Sequence, residues 1–568
     1  MKTRLSIAVL FLSMTLQGAS LLAATAPAGD FAKFVDDYFD ARFDFSPTEG
    51  TSAGLHQYDT KMPDRSRPRI ERRIAELKAQ LTRVSGFDRA SLSFDDGIDA
   101  AALDGALRSE LLSLETLRNW ERNPMSYAGV TGGAVDDLIK RDFAPAAERL
   151  ASVTARIRAV PSICATGKVN VRNPSKEFTT LAIRIAKGSA GFLEGGLAAW
   201  AKEAGAGQPS LQASFRQANT KAIQALREFA GWLEKDLLPR SKGNYAIGAP
   251  NFAAKLKYDE MVDFPLSEVL ARGEANLAKD YAAFIETARM IDPTKSPAEV
   301  MKSLSNDHPS AENLIPFVAK RVEAARQFLL DKQIVTIPSE VRPKVLETPP
   351  FARIGSFASM DTPGAYETKA TEAFYYATPV EADWDAKHRE EHLRLYNPQV
   401  VSMINVHEVW PGHYLQFLNA PKFATKTRKL IFCGTNAEGW AHYAEQMMVD
   451  EGFGDGDPKV RLAQLQEALL RDCRYVVGIK LHTQGMTVED GAKVFVEKAF
   501  QEPANGMAES RRGAYNPTYL YYTYGKLEIQ KLRDDYRAKT GGSLKQFHDA
   551  FVAQGGLPIP LVRRLILR

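Results

Sequence analysis

The sequence predicts a mainly α protein, a large helical array with a few short strands close to one metal-binding motif. Three observations lead there. Apolar residues recur at helical spacing through most of the first half, as with Ile70, Ile74, Leu77 and Leu81 at i, i+4, i+7 and i+11. Proline-interrupted, β-branched runs are confined to one region, QIVTIP and PKVLETPP within 332–353 and AFYYAT at 373–378. Residues 405–416, NVHEVWPGHYLQ, then place two histidines and a glutamate at the end of a strongly signalled helix.

Taken in order, Lys2 and Arg4 precede an apolar run over 5–22, and Ala23, Ala24 and Ala26 offer small-residue cleavage sites. That pattern is a secretory signal peptide over residues 1–26, cleaved after Ala24 or Ala26. No cysteine follows the run to carry a lipid anchor, and no later apolar stretch is long enough to span a bilayer. The mature protein is expected to be soluble and exported, and periplasmic in a bacterium. Its length exceeds what one core normally serves, so an N-terminal helical region (27–330) and a metal-site catalytic region (331–568) are expected to form one compact unit.

Residues 30–45 read as an acidic, aromatic helix, and 45–59, FSPTEGTSAGLHQYD, as a loop rich in Ser, Thr, Gly and Pro. Ser66 and Pro68 open the helix carrying Ile70. Leu103, Leu107, Leu111 and Leu114 mark the next, and helical texture covers 140–160, 176–204, 211–237 and 264–291. Residues 237–252 are a Gly/Pro-rich connection. AFYYAT reads either as an edge strand that could pair with a substrate backbone or as an aromatic core strand. Asn397 and Pro398 form a cap and first turn for the helix that runs into His407. Further helices are expected from about Thr435, over 459–483 and over 487–501, with a Tyr-rich segment and an amphipathic tail closing the chain. A net charge of +4 with no basic run argues against nucleic acid as a partner. The three cysteines, Cys164, Cys433 and Cys473, permit at most one disulfide and lack the spacing of a thiolate zinc site.

His407, Glu408 and His413 approximate the His-Glu-x-x-His zinc motif, with Pro411 and Gly412 added before the second histidine. Residues four apart on a helix are about 40° apart around its axis, whereas residues six apart are about 120° apart. A straight helix therefore cannot aim both imidazoles at one ion. Proline and glycine together can break the helix and swing His413 back. Catalytic zinc takes three protein ligands, and Glu438 is the expected third; the competing reading makes it part of a Thr435–Glu438 capping box. His442 and Glu445 share the face of Glu438, and either could orient a ligating imidazole or simply belong to a polar surface. Glu408 is the expected general base. Oxyanion donors could come from His482 or from Tyr519, Tyr521, Tyr522 and Tyr524.

The blocks HEVWPGHYLQ, AEGWAHYAEQM, KLH (480–482), YYTYGKLEI (521–529) and FHDAFVAQGGLPIPLV, with FSPTEGTSAGLHQYD near the start, resemble the bacterial "domain of unknown function 885" proteins. The resemblance spans nearly the whole mature chain. It implies a zincin-like protein in the style of the helical oligopeptidases and carboxypeptidases, with a substrate channel and one zinc per chain. By position it supports His407, His413 and Glu438 as ligands and Glu408 as base, and it favours His482 and Tyr522 as transition-state donors. The segment VVGIKLH departs from the Asp-x-Gly-x-His pattern expected before His482. Three functions are therefore framed: a zinc peptidase acting on small peptides, a zinc amidohydrolase of cell-wall peptides or amino-acid conjugates, and a peptide-binding protein without turnover. Glu408 weighs against the last, since binding alone has no use for a base.

Overall fold

In the computed structural model, residues 29–353 and 357–568 are described; the expected signal peptide lies outside them. The described chain is mainly helical, with a single three-stranded sheet. The N-terminal helices follow the apolar periodicity, at Gly29–Phe45, Arg67–Ser85, Phe94–Leu111, Lys176–Glu194 and Pro209–Trp232 among others. Two cores lie wholly or mostly in this part, one around Phe34, Tyr38 and Leu103 and one around Leu150, Leu193 and Leu226. The largest core joins both halves, reaching from Ile98 through Phe284 and Trp440 to Val562.

Seven helices surround the metal motif or brace those that do: α1 (Leu266–Ile291), α2 (Pro398–Glu408), α3 (His413–Leu418), α4 (Gly434–Asp450), α5 (Pro458–Thr483), α6 (Pro503–Tyr515) and α7 (Tyr521–Thr540). The axis of the fold is α5, which is buried at every residue from Leu462 to Ile479. Such a helix should be apolar all round, yet it carries Glu467, Arg471, Asp472 and Arg474. Buried charges persist only when paired: Arg471 pairs with Glu445 and Glu467, Arg474 with Glu509, and Asp472 accepts from Asn276 and Thr523.

The sheet contains β1 (Lys344–Glu347), β2 (Ala358–Asp361) and β3 (Phe374–Ala377) in the order β1-β3-β2. The pairing β1–β3 is parallel, from Lys344↔Phe374 to Glu347↔Ala377, and β2–β3 is antiparallel, from Ala358↔Ala377 to Asp361↔Phe374.

Two local expectations need correction, and one pair of alternatives is decided. The segment 45–59 is no loop: Pro47 supplies the first turn of a helix over Pro47–Ser52, and a 3-10 turn follows over His56–Tyr58. Polar groups hold it, with Thr51 donating to Asp59 at 2.9 Å. QIVTIP forms no strand. Ile334 and Val335 are buried, but the Thr336 amide finds its acceptor on the Asp549 side chain at 2.7 Å rather than on a neighbouring strand. AFYYAT contains β3, the central strand with both edges paired and all four residues buried, so of its two readings the aromatic core strand holds and the substrate-pairing edge strand does not. The three cysteines are free and buried.

Candidate metal centre and its cleft

Helix α2 begins as its sequence dictates, with the Asn397 side chain accepting from the Val400 amide at 3.0 Å and Pro398 in the first turn. It stops at Glu408. The chain passes through Val409, a cis Trp410–Pro411 peptide and Gly412, then enters α3 at His413. The inserted pair thus produces a full break and restart, not a bend. Gly412 makes the return possible: its amide donates to the Val406 carbonyl at 3.0 Å, and a Cβ there would lie 1.7 Å from the His407 oxygen. Only glycine permits that approach. The two imidazoles consequently face one another nearly at right angles (88°), with ring centres 4.9 Å apart.

Glu438 completes the group. The capping-box alternative fails, because Cys433 precedes the first turn of α4 with no side-chain cap. Those amides are satisfied instead by buried Glu260, which accepts from Gly434 at 3.2 Å and Thr435 at 2.8 Å. Glu438 is left to reach across. One of its oxygens lies 3.4 Å from Nε2 of His407 and 3.3 Å from Nε2 of His413. Donors spaced tetrahedrally around one zinc at ordinary bond lengths sit about 3.3 Å apart. Two imidazoles and a carboxylate are also zinc's customary donor set. The three side chains therefore fit a single divalent ion.

Behind them, Glu445 is fully buried and accepts from Nδ1 of His407 at 2.7 Å, which fixes the proton on that nitrogen and turns Nε2 toward Glu438. His442 bonds the other Glu445 oxygen at 3.2 Å, and the Arg471 guanidinium lies at 3.1 Å. Burial opposes the charge on Glu445, but Arg471 and His442 outweigh it and hold the carboxyl below its ordinary range. His407 experiences the reverse balance. Burial and Arg471 push its pKa down, yet Glu438 and Glu445 prevail and raise it to about 9. Without a metal, the imidazole keeps a proton to neutralise the two carboxylates. A dication would take over that role.

The centre lines a cavity of about 230 Å³. Leu395, Val400, Ile404 and Leu470 give it an apolar wall, and β2 contributes Ala358, Ser359 and Met360. β2 is an outer strand of the sheet. Glu408 also lines the cavity, 8% exposed, with no hydrogen bond to another described residue. Tyr522 arrives through the crossing of α4 and α7. A Cβ on Gly439 would lie 2.6 Å from Gly525, and one on Gly525 would lie 2.0 Å from the Thr435 oxygen, so the two backbones touch. Glu438 precedes one of these glycines, and Tyr522 lies three residues before the other. The contact brings both into one cavity.

His482 is not brought there. It sits at the far end of α5, 2% exposed, with Nε2 bonded to the Gly513 oxygen at 2.9 Å and Phe252 and Tyr245 beside its ring. The expectation of a donor at this position does not match its packing, consistent with the altered motif before it. Three residues not anticipated from sequence do line the cavity: Arg471, Arg474 and Arg512. Arg474 is clamped by Glu509 at 2.7 and 2.8 Å, and Arg512 donates to the Tyr522 oxygen at 2.9 Å. In sequence, Arg471 and Arg474 look like ordinary charges on a helix that also carries Arg461, Gln464, Gln466 and Glu467, and only their burial marks them out. A second carboxylate group, Asp136, Asp137 and Asp361, is already ion-paired with Lys140 and Arg141, which tie the helix Val130–Ile139 and its C-terminal cap to the end of β2.

Comparison with known proteins agrees with the motif blocks. Residues 47–566 match the family of bacterial proteins of unknown function called DUF885, and the chain belongs to that family. A solved structure from Shewanella oneidensis, described as a candidate lipoprotein of unknown function, is 26% identical with a TM-score of 0.77, covering 95% of this chain and 100% of that one. Another candidate lipoprotein, from Colwellia psychrerythraea, is 18% identical with a TM-score of 0.80, covering 95% and 98%; at that identity it speaks to fold alone. No curated protein matches.

Proposed function

We propose that this DUF885 protein is an exported zinc-dependent peptidase that hydrolyses small peptides. The observation that carries the reading is one Glu438 oxygen 3.4 and 3.3 Å from the inward nitrogens of His407 and His413, with Glu445 orienting the first imidazole from behind. His407, His413 and Glu438 would hold the ion. Zinc bound there would supply Lewis acidity, polarising a substrate carbonyl and acidifying water.

The remaining roles belong to the chain itself. Glu408 takes a proton from the attacking water and delivers it to the departing nitrogen, a task suited to a cavity-lining carboxylate not engaged elsewhere. Tyr522 donates a hydrogen bond to the oxygen on which charge develops. Its own oxygen is supplied by Arg512, so its proton is available to substrate, and burial keeps the phenol pKa above its ordinary value. Ala358, Ser359 and Met360 of β2 line the cavity and would flank a bound peptide. The small volume of the cavity favours small peptides over folded proteins, and the signal sequence supports export.

The test is metal analysis of the purified protein beside His407→Ala and Glu408→Gln, with peptide hydrolysis followed by mass spectrometry. The wild type should hold one zinc per chain and His407→Ala none. Glu408→Gln should keep zinc and lose nearly all hydrolysis. Undiminished activity in Glu408→Gln would remove that residue as base, and absence of zinc after resupply would leave the peptide-binding reading.

A further inference from the structure

A second cavity, about 140 Å³, adjoins the metal cleft, with Phe357 and Arg512 in the walls of both. It is assembled from both parts of the chain: Arg184 comes from the helix Lys176–Glu194, Arg353 from the segment after β1, and Arg511 and Arg512 from α6. Its polar lining is dominated by donors. Arg353 is engaged by Glu381 and Glu347. Arg184 and Arg511 are exposed and form no ion pair with a described residue. The one carboxylate in the lining, Glu509, is already committed to Arg474 and to the Tyr519 hydroxyl. His392 adds no positive charge, because burial lowers its pKa to about 4 and its ring bonds the Thr378 oxygen at 2.8 Å.

Asn505 points to the same chemistry independently. It lines this cavity, is 3% exposed, and its amide nitrogen is buried without a hydrogen-bond partner. A buried donor left unsatisfied is unfavourable and marks a place where an acceptor belongs. Guanidinium groups with an orphan amide donor match the planar, acceptor-only carboxylate. Trp384 and His388, stacked at 4.0 Å, give the chamber a flat apolar side against which a terminal side chain can rest.

We infer that this chamber is the carboxylate end of the substrate site: a short peptide lies with its free C-terminal carboxylate among Arg184, Arg511, Arg512 and Asn505, and the bond cleaved is one near that end. The substrate class is thus peptides with an unblocked C-terminus, and the activity is of the carboxypeptidase type. This rests on the peptidase reading for the cleavage, but not for the recognition. Arg512 couples the two cavities, since it lines both and donates to Tyr522. The reaction is ordinary hydrolysis, in which water adds across the amide and yields a new carboxylate and a free amine.

The recognition can be read without turnover. Zinc-loaded Glu408→Gln protein is titrated calorimetrically with acetyl-trialanine as the free acid and as its C-terminal amide. The acid should bind roughly 10- to 100-fold more tightly, the range expected for hydrogen bonds to a charged group, and the preference should shrink as salt is raised. Arg184→Ala/Arg511→Ala removes two exposed side chains, so it should fold and keep its zinc while losing most of the preference. Equal binding of the two forms, binding by neither, or a preference that survives the double variant would overturn the inference. Wild-type digests separate the two ideas. A binding preference with no product from any peptide would sink the peptidase reading alone, whereas equal cleavage of acids and amides would sink the C-terminal assignment alone.

Discussion

Gly412→Ala is the sharpest test of how the metal group is assembled. The added methyl would begin 1.7 Å from the His407 carbonyl oxygen, 2.4 Å from its carbon and 2.5 Å from the Val406 oxygen, all of them backbone atoms. No side-chain rotation can relieve this, so the return from α2 to α3 must open by more than ~1 Å to reach ordinary contact distance. Metal sites tolerate ligand displacements of only about 0.2 Å, and losing one outer hydrogen bond to a ligand already costs 10- to 100-fold in affinity or activity. Moving the ligand itself should cost at least about 100-fold in zinc affinity. The assay is zinc retention against a graded chelator, beside Gly97→Ala, where a methyl meets nothing within 4 Å. The control should keep zinc and should not lower the melting temperature. Wild-type zinc affinity in Gly412→Ala would refute the claim that this close approach sets His413.

Three further outcomes are expected from the same geometry. Glu445→Gln should weaken zinc binding by about 10- to 100-fold, measured by the same titration, because Nδ1 of His407 loses its charged acceptor and Arg471 a partner. In the metal-free protein, His407 has a folded pKa near 9 against an unfolded value near 6.5. Its stabilising contribution is therefore complete below about pH 6.5 and lost as pH rises through 9; the metal-free melting temperature should fall across that window, and the decline should be absent from His407→Ala. Asp361→Ala should release β2 from Lys140 and Arg141 and cost about 1–3 kcal/mol in denaturant unfolding. Its effect on peptide hydrolysis should be a raised KM with zinc content unchanged.

The helical half of the fold was legible because an amphipathic helix announces itself locally. Ile70, Ile74, Leu77 and Leu81 need only their own spacing to predict Arg67–Ser85. The same holds for the start of α2, where Asn397 and Pro398 act within one turn. What was not legible depends on residues far apart in the chain. Nothing in QIVTIP says that Asp549 will take its backbone hydrogen bond, and nothing in AFYYAT says that β1 and β2 will flank it on both sides. Glu438 could be read as a cap or as a ligand from sequence. The choice turns on Glu260, which already occupies the α4 amides from the end of another helix.

The arginines were missed for a related reason. In sequence, Arg471 and Arg474 resemble ordinary charges on a long helix, and only burial on every side makes them costly enough to demand an explanation. Once they are seen as buried, their partners sort them. Arg471 is consumed by Glu445 and Glu467, and so serves the carboxylate that orients His407. Arg474 spends two nitrogens on Glu509, which removes from the neighbouring chamber its one acidic lining residue. Pairing of the α5 arginines with carboxylates on α4 and α6 therefore has opposite consequences at the two positions. Near the histidines it builds a negative support for a cation; one turn further on, it neutralises the acid that would repel a substrate carboxylate. A single buried helix can in this way set the charge of both cavities.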